Sequence, residues 1–158
     1  MSVKVRDLSP EFLKQYRDAS RLALDAAAAL YEGNIKKRMM KGYYTSGAFR
    51  STAQIVQHVQ REEPMFGGNG WYTFVGIPTG ITAVAKAKRG KKATTARTSR
   101  FSVGEIALAW EMGHRNIFTR KFERVEIFKP VLLDSLQAMT ATYNRVLNRY
   151  LERGRPVR

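Results

Sequence analysis

Apolar residues recur through the first part of the chain at helical intervals: Phe12, Leu13, Tyr16, Ala19, Ala23, Ala26 and Leu30 lie three or four residues apart or side by side. Ser9-Pro10-Glu11 ahead of them is a helix start, with Ser as N-cap, Pro at the first helical position and an acid in the first turn. Ala26 to Ala29 adds a run of the best helix former, and Gly33-Asn34 supplies a stop. The pattern predicts a helix from about Ser9 to Glu32, lying on the core by its Phe/Leu/Ala stripe. Ile35 to Tyr44 is basic and mixed, and fits a second short helical piece or a connecting loop equally well.

Thr45-Ser46-Gly47 then punctuates the chain, and Ala48 to Gln60 reads as a short turn or helix feeding a strand that holds His58. In PMFGGNGWYTFVG, Pro64 to Gly76, the Gly67–Gly70 turn signal precedes the strand-prone Trp71 to Val75. A β-hairpin or a meander joint follows from that order. Ser102 is an N-cap candidate for a short helix over Val103 to Met112, closed by Gly113. Phe122 to Phe128 alternates apolar and charged residues, as a last strand would. Pro130 opens the most regular segment: Leu132, Leu136, Met139, Tyr143, Val146 and Tyr150 mark an amphipathic helix of about five turns. With Trp71 and Trp110 that stripe is expected to form the main hydrophobic cluster, while Met39-Met40 suits core filling or an adaptable contact surface. The expected fold is α+β: long N- and C-terminal helices packed on a small antiparallel sheet, with a long basic loop between a strand and the short helix.

Length and composition narrow this to one domain over residues 1–158, and the 44% apolar content argues against wholesale disorder. There is no cysteine, which removes disulfides, thiolate metal sites and cysteine nucleophiles from consideration. No apolar stretch approaches the length of a membrane span, and MSVKVRDLSPEF lacks the apolar core of a secretion signal. The expectation is a soluble protein made in a cytoplasm. Charge changes the picture most: the formal net charge is +15, and no acid occurs between Glu63 and Glu105. Within that gap lies VAKAKRGKKATTARTSR, Val84 to Arg100, so residues 79–101 read as a flexible basic loop or arm. Lys86, Lys88, Arg89, Lys91, Lys92, Arg97 and Arg100 are its candidate contacts to a DNA backbone or an acidic protein. No aromatic residue lies between Phe74 and Phe101, so the run itself encodes no stacking groove for single strands. A solvated loop whose charge only maintains solubility is the plainer alternative.

Catalytic chemistry finds little support. The two histidines, His58 and His114, have no nearby acid or serine at triad spacing, and HExxH, HxxxH and DxD spacings are missing. Glu62-Glu63 is the only adjacent acid pair and reads as a solvated turn beside Pro64. Gly67-Gly68-Asn69-Gly70 lacks the strand–helix context of a phosphate loop. An enzyme is not expected, nor is a bound metal.

Three segments, taken in order, resemble the tail-completion (head–tail joining) proteins of long-tailed phages, the small neck proteins between the portal–adaptor stack and the tail. Tyr44-Thr45-Ser46-Gly47-Ala48-Phe49-Arg50-Ser51 is similar to the family's Thr–Gly–x–Leu–x–x–Ser, with Ser46 intervening and Phe49 where Leu is common. Ile106-Ala107-Leu108-Ala109-Trp110-Glu111-Met112-Gly113 is similar to its Tyr–Ala–x–x–x–Glu–x–Gly, with Ile106 for the aromatic. Phe128-Lys129-Pro130-Val131-Leu132 before a long helix is similar to its Pro–Phe–Leu–x–Pro–Ala–Leu ending. The basic insertion between Gly80 and Ser102 is longer than in typical members. The resemblance implies a virion protein assembled in the host cytoplasm: a head-to-tail, hexameric ring around the DNA channel, with no cofactor. Its partners would be head-side adaptor or connector proteins and tail-tube or terminator proteins. Gly113 suits a left-handed helix cap. Glu111 can be an ordinary solvated acid, bind a neighbouring backbone or Arg, or pair with a basic residue of the next subunit, so both residues are candidates for a subunit interface. The rival reading is a nucleic-acid-binding module that grips phosphate with the 84–100 arm.

Overall fold

A computed structural model of the chain describes residues 10–43, 55–87, 97–115, 120, 122–124 and 126–153. Helix α1 (Pro10–Tyr43) runs through the expected stop at Gly33-Asn34 for 34 residues, about 51 Å. Its buried positions explain the continuation: Ala19, Ala23, Ala27, Tyr31, Ile35 and Met39 step by four along one face. A helical Gly costs roughly 1 kcal/mol relative to Ala. Burying Ile35 and Met39 beyond it returns about 1.5–3 kcal/mol each, so the helix goes on. The Ile35 to Tyr44 segment is therefore helical as far as Tyr43. The stripe differs from the expected one as well. Ala27 and Tyr31 replace Ala26 and Leu30 on the buried face, while Phe12, Leu13 and Tyr16 stay exposed. The Ser9 cap and the Tyr44–Ser51 segment lie outside the described residues.

Ile55 and Val56 are helical, and a turn bonding His58 N to the Ile55 carbonyl at 3.0 Å follows, so His58 sits in a turn rather than in the expected strand. Strands β1 (Gln60–Arg61), β2 (Met65–Gly67), β3 (Gly70–Tyr72) and β4 (Val75–Gly76) form one interrupted hairpin, with β1 on β4 and β2 on β3. Pro64 has no N–H to give to a ladder, which separates the β1–β4 ladder from the β2–β3 ladder. Glu62 N donates to the Phe74 carbonyl at 2.9 Å, and Thr73 Oγ1 to the Glu62 carbonyl at 2.6 Å, carrying the hairpin across the break. Gly68, at φ +48°, takes the left-handed place in the predicted turn.

Strands β5 (Thr82–Ala87) and β6 (Arg97–Ser102) pair antiparallel, so the span expected as loop or arm is a two-stranded ribbon at both ends. Ser102 Oγ accepts from Glu105 N at 3.3 Å and caps α2 (Val103–Met112), whose bounds are those the sequence predicts. Strands β7 (His114–Arg115) and β8 (Phe122–Glu123) make a short ladder, so the expected last strand is confined to its first two residues, and its expected end, Phe128, begins α3 (Phe128–Arg153). Helix α3 has 26 residues, about seven turns, more than the five expected.

The chain is α+β, with long first and last helices and antiparallel β-structure. Among the described residues the strands pair two by two and do not join one sheet. The core gathers Tyr31, Ile35 and Met39 of α1 with Ile55, Val56 and Val59, Val103 of α2, and Ile127 and Val131 at the start of α3. Trp71 is not in that cluster; it packs edge-on against Phe66, with ring centroids 5.3 Å apart, and Arg17 of α1 lies over Phe66 at 5.0 Å. On α3 the buried face runs through Val131 and Ser135, not through Leu132 and Leu136. Asn34 Nδ2 donates to Ser135 Oγ at 2.9 Å and Tyr31 Oη to the Phe128 carbonyl at 2.9 Å. Those two bonds set the helix rotation and turn the leucines outward.

Candidate functional site

The basic ribbon takes its shape from alternation. In β5–β6, Val84 pairs with Arg100, Lys86 with Thr98 and Ala87 with Arg97, so three of the expected contact residues occupy the ladder. Lys88, Arg89, Lys91 and Lys92 lie outside the described residues. The ribbon is anchored where Val103 N donates to the Ile81 carbonyl at 3.0 Å, just past Ser102. Basic positions on a two-stranded ribbon, anchored at its root, suit contact with a polyanion by charge.

Glu111 and Gly113 sit at a second place, the junction of α2, β7, β8 and α3. Helix α3 has no acid in its first turn, and Pro130 contributes no N–H. The Glu111 carboxylate supplies the missing cap: Oε2 accepts from Ile127 N at 2.7 Å and Phe128 N at 3.2 Å, and Oε1 from Lys129 N at 3.1 Å. A negative charge there also complements the helix dipole. The acid considered for a subunit contact thus has its carboxylate bonded to backbone of its own chain, and its main-chain carbonyl accepts from Arg124 Nε at 2.9 Å. Burial, and then the charge of Glu111, push the Tyr31 hydroxyl above its ordinary pKa and keep it a donor to Phe128. Gly113 has φ +94°, the positive region that favours glycine, but with ψ 148° it leads straight into β7 and is not the left-handed cap expected. A Cβ on it would fall into the ring of Phe122.

A third cluster was not legible in the sequence. Arg61 of β1 donates to Asp25 at 2.8 Å and to Glu32 at 2.9 Å, and Glu32 also pairs with Lys36. Asp25, Glu32 and Arg61, with Arg21, Glu62 and Glu63, line a groove of about 350 Å³ between α1 and the hairpin. Burial pushes the Glu32 carboxyl up, but the hydrogen bonds and charges of Lys36 and Arg61 outweigh it and hold the carboxyl below its ordinary range. The same carboxylates, Asp25 first, keep Arg61 protonated. Seven-residue spacing of Asp25 and Glu32 places both acids on one side of α1, within the span the sequence already predicts as helical; what the sequence withholds is that Arg61 of β1 reaches both. Ion pairing joins Asp25, Glu32 and Arg61 to one another within this groove. Among the described residues no group of three or more His, Asp or Glu is placed to hold a metal ion, and no helix is long and apolar enough to cross a membrane.

The surface itself is unusual in what it leaves uncovered. Phe66 and Phe74 on the hairpin, Leu108 and Met112 on α2, Phe122 on β8, and Leu133 and Leu136 on α3 are each more than half exposed. Isolated surface leucines are ordinary, but groups of large apolar side chains mark interaction faces. Two long helices with paired short strands and a basic ribbon define an α+β chain. Comparison with protein-family models, curated proteins and solved structures finds no match.

Proposed function

We propose that this chain is a structural protein of a phage neck, a virion subunit that closes into a hexameric ring, joins the head connector to the tail and lets DNA pass. The observation that carries the assembly part of this reading is the exposed apolar side chain on the hairpin and at the α2–α3 junction, which a free monomer would leave in water. The neck itself is argued from the resemblance of the Tyr44–Ser51, Ile106–Gly113 and Phe128–Leu132 segments, in that order along the chain. Within those segments Glu111 and Gly113 have definite structural work at the α3 junction. Residues that hold a fold together in this way are ones a related family would share. The predicted role is scaffolding, with head-side adaptor and tail-side tube or terminator proteins as neighbours.

Mass photometry and negative-stain imaging of the full chain, alone and with tails or filled heads, test this reading. The expected result is a closed ring that restores joining of heads to tails; a persistent monomer that joins nothing would overturn it.

A second reading is favoured by the ribbon: a nucleic-acid-binding protein that contacts phosphate without reading sequence through the 84–100 arm. It predicts DNA affinity that falls steeply with salt and disappears when residues 85–100 are deleted. Salt-insensitive or unchanged binding would count against it.

A further inference from the structure

The β5–β6 register divides the basic ribbon into two unlike faces. Residues opposite one another in a ladder share a face, and so do residues two apart along a strand. Thr82, Val84 and Lys86 therefore lie on one face with their partners Ser102, Arg100 and Thr98. Ala83, Ala85 and Ala87 lie on the other with Phe101, Ser99 and Arg97. Every position on the first face except Val84 carries a hydroxyl or a cation, the groups that donate to phosphate oxygens. The second face is half alanine, and Arg97, at the far end of the ladder, is its only cation. Lys86 and Arg100 occupy diagonal positions across the two strands, about 7–8 Å apart, so the pair can meet neighbouring phosphates of one strand. No acid occurs between Glu63 and Glu105 to neutralise them. Glu105 stands at the root of the ribbon, where the Ser102 hydroxyl holds its amide and Val103 N bonds the Ile81 carbonyl. Lys86 and Thr98 lie toward the opposite end of the ladder.

We propose that this donor face, rather than the ribbon as a whole, contacts the phosphate backbone of duplex DNA, with Lys86 and Arg100 as paired cations and Thr98 as a hydroxyl donor beside them. A single strand is held by stacking its bases on aromatic side chains, and the donor face has none. A duplex offers one phosphate charge per about 1.7 Å of its axis and needs no stacking partner. Contacts of this kind position a protein on DNA without reading its sequence. This inference rests on the nucleic-acid reading of the ribbon above and names the face that binds and the form of nucleic acid it takes.

Fluorescence anisotropy of the full chain on a labelled random-sequence duplex, across a salt series, tests it. Lys86→Gln and Arg100→Gln should each weaken binding about fivefold or more at about 0.1 M salt, and each should reduce the slope of log K against log salt by about one. Arg97→Gln removes the same charge from the other face and should leave that slope unchanged. Thr98→Lys should tighten binding and steepen the slope while Ser99→Lys does not, a gain that misfolding cannot produce. Equal losses from Arg97→Gln and Arg100→Gln would overturn the face assignment and leave the nucleic-acid reading standing. A labelled single strand bound as tightly as the duplex, or polyglutamate that displaces the duplex at matched charge, would overturn duplex DNA as the occupant. Duplex binding that survives deletion of residues 85–100 would overturn the nucleic-acid reading, and the inference with it.

Discussion

At the scale of single residues, a few side chains hold the junctions. Glu111 satisfies the Ile127, Phe128 and Lys129 amides that begin α3, so Glu111→Ala should lower unfolding free energy by about 1–3 kcal/mol in denaturant titration. Glu111→Gln keeps an acceptor and should lose less; a change below about 0.5 kcal/mol for the alanine variant would contradict the capping role. Gly33 is helical, and a Cβ there meets nothing within 4 Å, so Gly33→Ala should raise stability by roughly 0.5–1 kcal/mol, visible as a higher Tm. Glu32 gives a pH dependence with a definite sign. Its folded pKa lies below the ordinary value of about 4.3, so its contribution to stability is complete above that pH and is lost as pH falls through the folded value. Glu32→Gln should therefore be less stable at neutral pH and should lose less on acidification. Unfolding curves that fall in parallel for the two proteins would contradict this.

At the scale of elements, burial on the helices decides which apolar residues matter to the fold. Val131 is buried against α1 while Leu133 is largely exposed, so Val131→Ala should cost about 1–3 kcal/mol and Leu133→Ala within about 0.5. Equal costs in chemical denaturation would place α3 in a different rotation. The same helices show what the sequence alone could and could not convey. Local chemistry was readable: Ser102 and Gly113 bracket α2, and Gly67 to Gly70 turn the hairpin, because capping and turn preferences act within a few residues. The length of α1 was not, since Gly33 is a stop signal locally and is overridden by Ile35 and Met39 packing on residues far along the chain. The rotation of α3 was readable over its later turns, where Met139 packs on the core and Tyr150 is buried, and hidden at its first turns for a similar reason. Leucine at Leu132 and Leu136 outranks Ser135 by hydrophobicity, yet the Asn34 partner brings Ser135 inward. The basic ribbon was legible as charge, with its strand pairing concealed by a composition rich in Ala and Lys, which strands do not favour. Glu111 was visible as a residue of interest, whereas its true ligands, three amides sixteen to eighteen positions on, depend on the fold.

At the scale of the whole molecule, two long helices carry a hairpin, a short helix and a basic ribbon, and large apolar side chains stay exposed on the hairpin, α2 and α3. With a formal charge of +15, copies of the chain repel one another, so screening at about 0.1 M and above should strengthen any self-association, read by sedimentation across a salt series. The ring is the central claim, and mass photometry of the purified full chain across a concentration series addresses it most directly. The account predicts a cooperative passage from monomer to one closed species of fixed mass, seen as a ring in negative stain; a monomer that persists to the highest concentration, or a mass that grows without limit, would contradict it.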